Sequence, residues 1–444
     1  MQKERGAVMK KTSFFLTTLI LLGQLIYAQN DNPVLENPEI FESKNVTLVG
    51  RWSNGCCRAC FVLNNYAYVA GSDSSLRIID VSDPTLPNEV GFLDWEYRTY
   101  NVYVSENFAY VIVGGGLRII NVSDPTSPIE VAIFNNTIGY ALGISVVGNY
   151  AYVSTGAMGG PCGLHIIDVS DPSAPNEISF CDNSGGESVY VSGNYAFVVS
   201  IPRYGISAFG IIDISDPNSP LDIGNYSAIG AGRGANDVYV SGICAYIADS
   251  EHGLSIIDVN DPSSPNEISF YNTEGSARGV YVSDGYAYVA DDSEGLRVID
   301  VINPGAPKEV GFFDTEGKAC DVYVSESLIY VADSDSGLYI LQNELQTIVH
   351  DNLSSKPTRQ NLSQNHPNPF NSSTTINYSL ANDCHVKIII YNLLGEVVAK
   401  LVNGFQSRGL HNVKWDAKNL PGGIYIYRIE ADGFSAVKKM FLQK

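Results

Sequence analysis

Residues 277–313 read ARGVYVSDGYAYVADDSEGLRVIDVINPGAPKEVGFF. Four short apolar runs (GVYV, YAYVA, LRVIDV and EVGFF) alternate with the turn-forming SDG, DDSEG and NPGAP. Val, Tyr, Ile and Phe, broken by Gly, Pro, Asp and Asn, predict four antiparallel strands, named A to D from first to last. The same arrangement recurs along the chain. The Pro after strand C falls at Pro84, Pro125, Pro172, Pro217, Pro262 and Pro304, usually inside DVSDP. A period in the forties with four strands per unit is the pattern of a β-propeller blade.

Strand A begins near Cys60, Val102, Ile144, Val189, Val238, Val280 and Val322, and strand C also has seven copies. Strand D follows strand C only six times. The missing copy precedes the first strand A, in NVTLVGRW from Asn45 to Trp52. The expectation is a seven-bladed ring in which this N-terminal strand completes the last blade and removes an open edge. Blades reading GLxIIDVSDPxxP after NYAYVA resemble the LVIVD repeats of bacterial surface propellers, over roughly residues 45–343.

Upstream, Lys10 and Lys11 precede a mostly apolar run from Phe14 to Leu25, and Ala28 ends it. A basic start, a short apolar stretch and a small residue predict a signal peptide over 1–28. No later stretch is long and apolar enough to span a bilayer, so no transmembrane segment is expected in the mature protein. Residues 29–44 and 344–365 read as linkers. Residues 366–444 carry strand-like runs and predict an immunoglobulin-like β-sandwich of about seven strands. The fold class expected is therefore all-β, a propeller plus a sandwich.

The C-terminal segment resembles the sorting domain of the type IX secretion system of Bacteroidota. The resemblance is carried by Pro367, Asn368, Pro369 and Phe370, by Thr374 to Tyr378, by Tyr391, Asn392, Leu394 and Gly395, and by Trp415, Gly423 to Tyr427 and Lys438 to Met440. It implies the type IX machinery as a partner, and passage through the periplasm to the cell surface or the medium.

Charge separates the two parts. The chain carries a net −21. Residues 366–444 hold nine Lys/Arg and five Asp/Glu, which is +4 and leaves −25 for the rest. An acidic body repels nucleic acid and excludes it as a partner.

Among the eight cysteines, Cys56, Cys57 and Cys60 lack the second CxxC or His pair that a zinc site needs. Export permits disulfides. Cys162 and Cys181 fall at one end of the third blade. Cys320 starts the last blade, next to Cys56 and Cys57 of the first once the ring closes. The expected bridges are Cys162 with Cys181, and Cys57 or Cys56 with Cys320.

Residues present in every blade read as architecture, among them the Asp that ends strand C (Asp80, Asp168, Asp213, Asp258 and Asp300). The run Asp333-Ser-Asp335-Ser-Gly337 looks like part of a calcium loop. It lacks the distant Glu, and an Asp-capped turn explains it without metal. No cofactor or metal is expected. The varied positions lie at one end of strand A: Ala59, Asn101, Gly143, Ser188, Asp237, Gly279 and Asp321, preceded by Arg58, Tyr100, Leu142, Glu187, Asn236, Arg278 and Cys320.

The connections B–C and D–A vary in length, and both emerge on that same face, whereas C–D turns keep one length. Variable loops on a rigid frame are where binding resides. The candidate ligand-binding residues are Trp95, Tyr97, Tyr100, Tyr140, Arg203, Tyr204 and Arg233 on these loops, with Asp237 and Asp321 at the channel. A non-enzymatic binding or adhesion module for an unknown protein or glycan is the favoured reading. A carbohydrate-active hydrolase or lyase using Asp237, Asp321 and Glu187, or a structural surface-layer component, are the alternatives.

Overall fold

The computed structural model describes residues 41–134, 140–156, 162–182, 186–199, 209–227, 234–345, 360–365, 368–431 and 433–443. The expected signal peptide lies outside them.

Seven sheets of at least four antiparallel strands follow one another, each in the order A–B–C–D. The first blade consists of Ala59–Leu63, Tyr66–Gly71, Ser75–Asp80 and Asn88–Asp94. Every strand A packs against the strand A of both neighbours, and the last, Asp321–Ser325, meets the first, Ala59–Leu63. The ring is closed around these inner strands.

Strands B and C are buried on both faces, as in Tyr286–Ala290 and Leu296–Asp300, because each blade is sandwiched between two others. This is why they read as near-continuous apolar runs. The apolar side chains form seven clusters among the described residues, one at each blade-to-blade seam. Burial of this apolar surface holds the ring together.

The last blade takes its outer strand from the N-terminus: Val46–Trp52 pairs antiparallel with Leu338–Asn343. The substitution is faithful in detail. Strand D bulges against strand C in the other six blades, for example between Val298 and Ile299. The N-terminal strand bulges likewise, between Leu48 and Gly50. Gly50 then lies against the next blade's turn: a Cβ there would stand 2.0 Å from the Pro84 carbonyl oxygen, as one on Gly91 would stand 2.1 Å from that of Pro125.

The chain upstream is also structured. Ser43–Lys44, in the stretch expected to be linker, adds a fifth strand to the outer edge of the sixth blade, opposite Phe313 and Phe312. Phe41 packs its ring against Phe313 and Tyr339, which draws these residues onto the blade.

The DVSDP turns behave as capping turns. Asp80 accepts the amide of Ser82 at 2.9 Å, and Asp83 accepts both the amide and the hydroxyl of Thr85.

The C-terminal region forms two sheets. One holds Asn361–Leu362, Ser373–Leu380 and Gly409–Asp416; the other holds Cys384–Tyr391, Val397–Gln406, Gly423–Ala431 and Phe434–Leu442. Between them lies a core that includes Phe370, Ile376, Ile388, Trp415, Tyr427 and Leu442. Tyr427 is fully buried and accepts the amide of Asn365 while donating to the carbonyl of Ser363. The sandwich thus takes in residues from Asn361, inside the stretch expected to be linker. Asn368 accepts the amide of Phe441 and Phe370 packs on Trp415, so the PNPF motif ties the final strand to the core.

Candidate functional site

At the end where the inner strands begin, the channel opens into a cavity of about 410 Å³. Its walls are the positions that vary from blade to blade: Arg58, Tyr100, Leu142, Glu187, Asn236, Arg278 and Cys320 at the rim, then Ala59, Asn101, Ser188, Asp237 and Asp321 below. Gly143 and Gly279 alone of the set do not line it. A Cβ on Gly279 would stand 2.9 Å from Cα of Asp321, so neighbouring inner strands approach too closely there for a side chain.

Deeper in, the outward alternation of strand A turns Phe61, Tyr103, Tyr190, Tyr239, Tyr281 and Tyr323 into the lumen. Consecutive rings from Tyr103 through Phe61, Tyr323, Tyr281 and Tyr239 to Tyr190 have centroids 4.6–5.1 Å apart. The third blade supplies Ser145 instead and interrupts this collar. Burial raises the phenol pKa of Tyr103, Tyr190, Tyr239 and Tyr323, so the collar stays neutral.

Asp237 and Asp321 stand at the first position of their strands and reach across to neighbouring blades. Asp237 accepts the amide of Val280 at 2.9 Å and the hydroxyl of Ser188 at 2.7 Å. Asp321 accepts the amides of Cys60 at 2.9 Å and Val322 at 2.8 Å. Burial, and then the charge of Asp237, push the Asp321 carboxyl up to about 7. Burial raises Asp237 too.

The rim carries its own pairs. Arg278 binds Asp292 at 2.7 Å, and Lys318 approaches the same carboxylate at 3.4 Å. The Arg58 guanidinium lies over the Tyr100 ring, 5.0 Å from its centroid.

The other candidates are placed differently. Trp95 donates its indole N–H to Glu130 at 3.0 Å and lies under the Arg118 guanidinium, which itself binds Glu130 at 2.7 Å. It holds the first two blades together and does not line the cavity. Tyr97 is 60% exposed on the same loop, against Gly114. The side chain of Tyr140 and all of Arg203, Tyr204 and Arg233 lie outside the described residues.

The acidic B–C turns have a structural occupation. Asp333 accepts the Thr315 hydroxyl at 2.6 Å and the Gly317 amide at 2.8 Å; Asp291 does the same with Thr273 and Gly275. Each carboxylate clasps the Thr-Glu-Gly segment that enters its blade.

Cys57 and Cys320 are thiols in the structure. Cys57 is fully buried and its amide donates to the Ser334 carbonyl at 2.7 Å, while the Cys320 sulfur lies 3.1 Å from the Ser334 hydroxyl. The paired strands place Leu164 opposite Cys181 and Gly163 opposite Asp182, so Cys162 and Cys181 are two positions out of register on one face.

Seven stretches match the LVIVD repeat: 55–94, 98–136, 138–183, 186–228, 232–273, 274–315 and 316–341. The chain belongs to the LVIVD repeat family. Each match begins in the connection before a strand A, so one match corresponds to one blade of the LVIVD ring. Residues 365–443 match the secretion system C-terminal sorting domain, which makes this LVIVD protein a secreted or outer-surface protein handled by type IX secretion. No curated protein matches the chain. Among solved structures, the computationally designed Ika8 protein is similar over 66% of this chain and 98% of its own, with 6% identity and a TM-score of 0.49.

Two features of the site were not singled out from the sequence. The collar is visible there once the strands are aligned: the centre of CFV, VYV, ISV and the four further VYV copies is aromatic in six blades of seven. The bridging role of Asp237 and Asp321 needs the curvature of the ring, which brings one blade's first carboxylate to the next blade's amide.

Proposed function

We propose that the ring is a non-enzymatic binding module, exported through the periplasm by the type IX route, that takes its ligand into the channel mouth. The observation that carries this reading is the cavity itself. It is about 410 Å³, within the span of about 300–1,000 Å³ usual for small-ligand sites. It has a polar, blade-specific rim and a rigid aromatic floor. Architectural positions repeat around the ring; the rim positions do not.

The alternative, a carbohydrate-active enzyme on the same carboxylates, draws on the raised Asp321 beside Asp237. Against it stands their bonding. Each of the four carboxylate oxygens already accepts a backbone amide or the Ser188 hydroxyl. A general acid must give its proton to substrate, and a base must be open to receive one. Groups that hold neighbouring blades together are poorly placed for either.

The test is a glycan and protein array probed with the secreted protein and with Leu142→Trp, which fills the rim from the third blade. Capture lost in Leu142→Trp at unchanged melting temperature supports the channel as the site. Capture unaffected by the plug refutes it, and turnover of a captured glycan returns the enzyme reading.

A further inference from the structure

The charge around the channel mouth is uneven, and this narrows the ligand class, given that the cavity is the binding site. In order around the rim stand Arg58, Tyr100, Leu142, Glu187, Asn236, Arg278 and Cys320, from the first blade to the seventh. The two arginines therefore flank the seventh blade; burial raises the pKa of the Cys320 thiol, and both arginines lie near enough to act against that rise. Glu187, on the fourth blade, faces them from across the channel.

Four other arginines of the ring are spent differently, although Arg98 on the loop before the second inner strand is exposed as well. Arg51, Arg77, Arg118 and Arg297 each bind carboxylates of the outer strands and turns. Arg58 has no carboxylate within ion-pair distance among the described residues; its exposed guanidinium rests on Tyr100. Arg278 keeps nearly half its side chain exposed beyond its bond to Asp292. A chain of net charge −21 has thus kept a cationic arc at the mouth of this cavity.

We propose that this arc receives the carboxylate of an acidic sugar, a hexuronic acid residue of a glycan. Planar guanidinium groups match a carboxylate in two-point hydrogen bonding. The remaining walls suit hydroxyl groups. Asn101, Ser188 and Asn236 offer amide and hydroxyl partners, and the Tyr100 ring offers a flat face. A peptide C-terminus would present a carboxylate too. Its last side chain would need an apolar recess, and on the side opposite the arginines the apolar Leu142, Ile144 and Val189 stand beside the charged Glu187. The sugar is the better fit. Its neutral, hydroxylated end lies toward Glu187, where a second anionic group would be repelled.

The experiment is calorimetric titration of the secreted full chain with the singly charged disaccharide glucuronosyl-xylose, with its methyl ester, and with an acetylated dipeptide bearing a free C-terminus. The acid binds, and the ester binds at least about tenfold more weakly. Arg58→Gln removes that preference, lowering affinity for the acid by about tenfold and leaving the ester unchanged. Equal binding of acid and ester, an unchanged acid affinity in Arg58→Gln, tighter binding of the dipeptide, or no binding of the acid overturns the proposal. Leu142→Trp separates the two levels of the argument. Neutral glycan binding abolished by the plug keeps the channel and discards the acid. Acid binding that survives the plug discards the channel as well.

Discussion

Asp321 accepts the amide of Cys60 at 2.9 Å, joining the first residue of the last inner strand to the first blade across 261 positions of sequence. Asp237 makes the same bond to Val280 between the fifth and sixth blades. The ring is therefore sealed twice at its final seam, by the outer strand Val46–Trp52 and by an inner carboxylate. Replacing Asp321 by Ala leaves a buried amide without this acceptor, at a cost of about 1–3 kcal/mol. We expect a lower urea midpoint for Asp321→Ala. Asp237→Ala should behave alike, since the bond is of one kind. A variant as stable as the parent would show that the carboxylate contributes nothing to closure.

The same seam holds two thiols around Ser334, and comparison with other seams says what they can do. The residue at the Cys320 position of the fifth blade is Asn236, and that at the Cys57 position of the sixth is Ala277. Asn236 reaches the Ala277 carbonyl at 2.7 Å. The two positions are thus within side-chain reach across a seam, and only the last seam has cysteine at both. In an oxidising compartment a disulfide oxidant would take two electrons, and two protons would leave, as the sulfur–sulfur bond forms. We expect a peptide containing Cys57 joined to one containing Cys320 in non-reducing mass mapping. Reduction should then cost about 2–4 kcal/mol of ring stability. Alkylation of both thiols in the secreted protein would reject the bridge.

How much of this was legible in the sequence follows from what repeats. Strand order, blade number and the displaced last strand were readable, because turn residues and apolar alternation recur with one period. The list of rim residues was readable too, since it is the set that refuses to repeat. Trp95 has contacts that the sequence does not display. An aromatic on a variable loop looks like a ligand anchor, yet Glu130 and Arg118 of the next blade engage it, and their approach depends on blade packing. Ser43–Lys44 was read as linker because a two-residue strand has no period to display. Phe41 was the remaining clue, an apolar ring in an otherwise polar stretch.

Export rests on the sandwich, and its weak points are specific. Removing residues 361–444 takes away the sorting domain from its first strand. In a host with type IX secretion the truncated protein should accumulate in the periplasm, measured by cell fractionation and immunoblotting. Tyr427→Phe is the milder variant. It loses the hydroxyl that serves both Asn365 and Ser363, costing about 1–3 kcal/mol within the sandwich. Normal delivery of the truncated protein would remove the tail from the export route.

The ring should lose stability as the solution becomes alkaline, an order that follows from its buried carboxyls. Burial pushes Asp291 up to about 7 and Asp333 up to about 6, while their Thr hydroxyl and Gly amide donors act in the opposite sense. Asp321 reaches about 7 through burial and the charge of Asp237. A carboxyl with a raised folded pKa binds its proton more tightly in the ring than in the unfolded chain. Its contribution is complete below the unfolded pKa and is lost as pH rises through the folded value. These groups therefore favour the ring at about pH 5 over about pH 8, in a loss that begins near the unfolded carboxyl value of about 4 and is complete above the folded values of about 6 and about 7. The check is the urea midpoint of the full chain across that range, beside Asp291→Asn, which removes one titrating group and should flatten the slope. A midpoint that rises from about pH 5 to about pH 8 would mean that the hydrogen bonds to these carboxylates outweigh the cost of burying their charge.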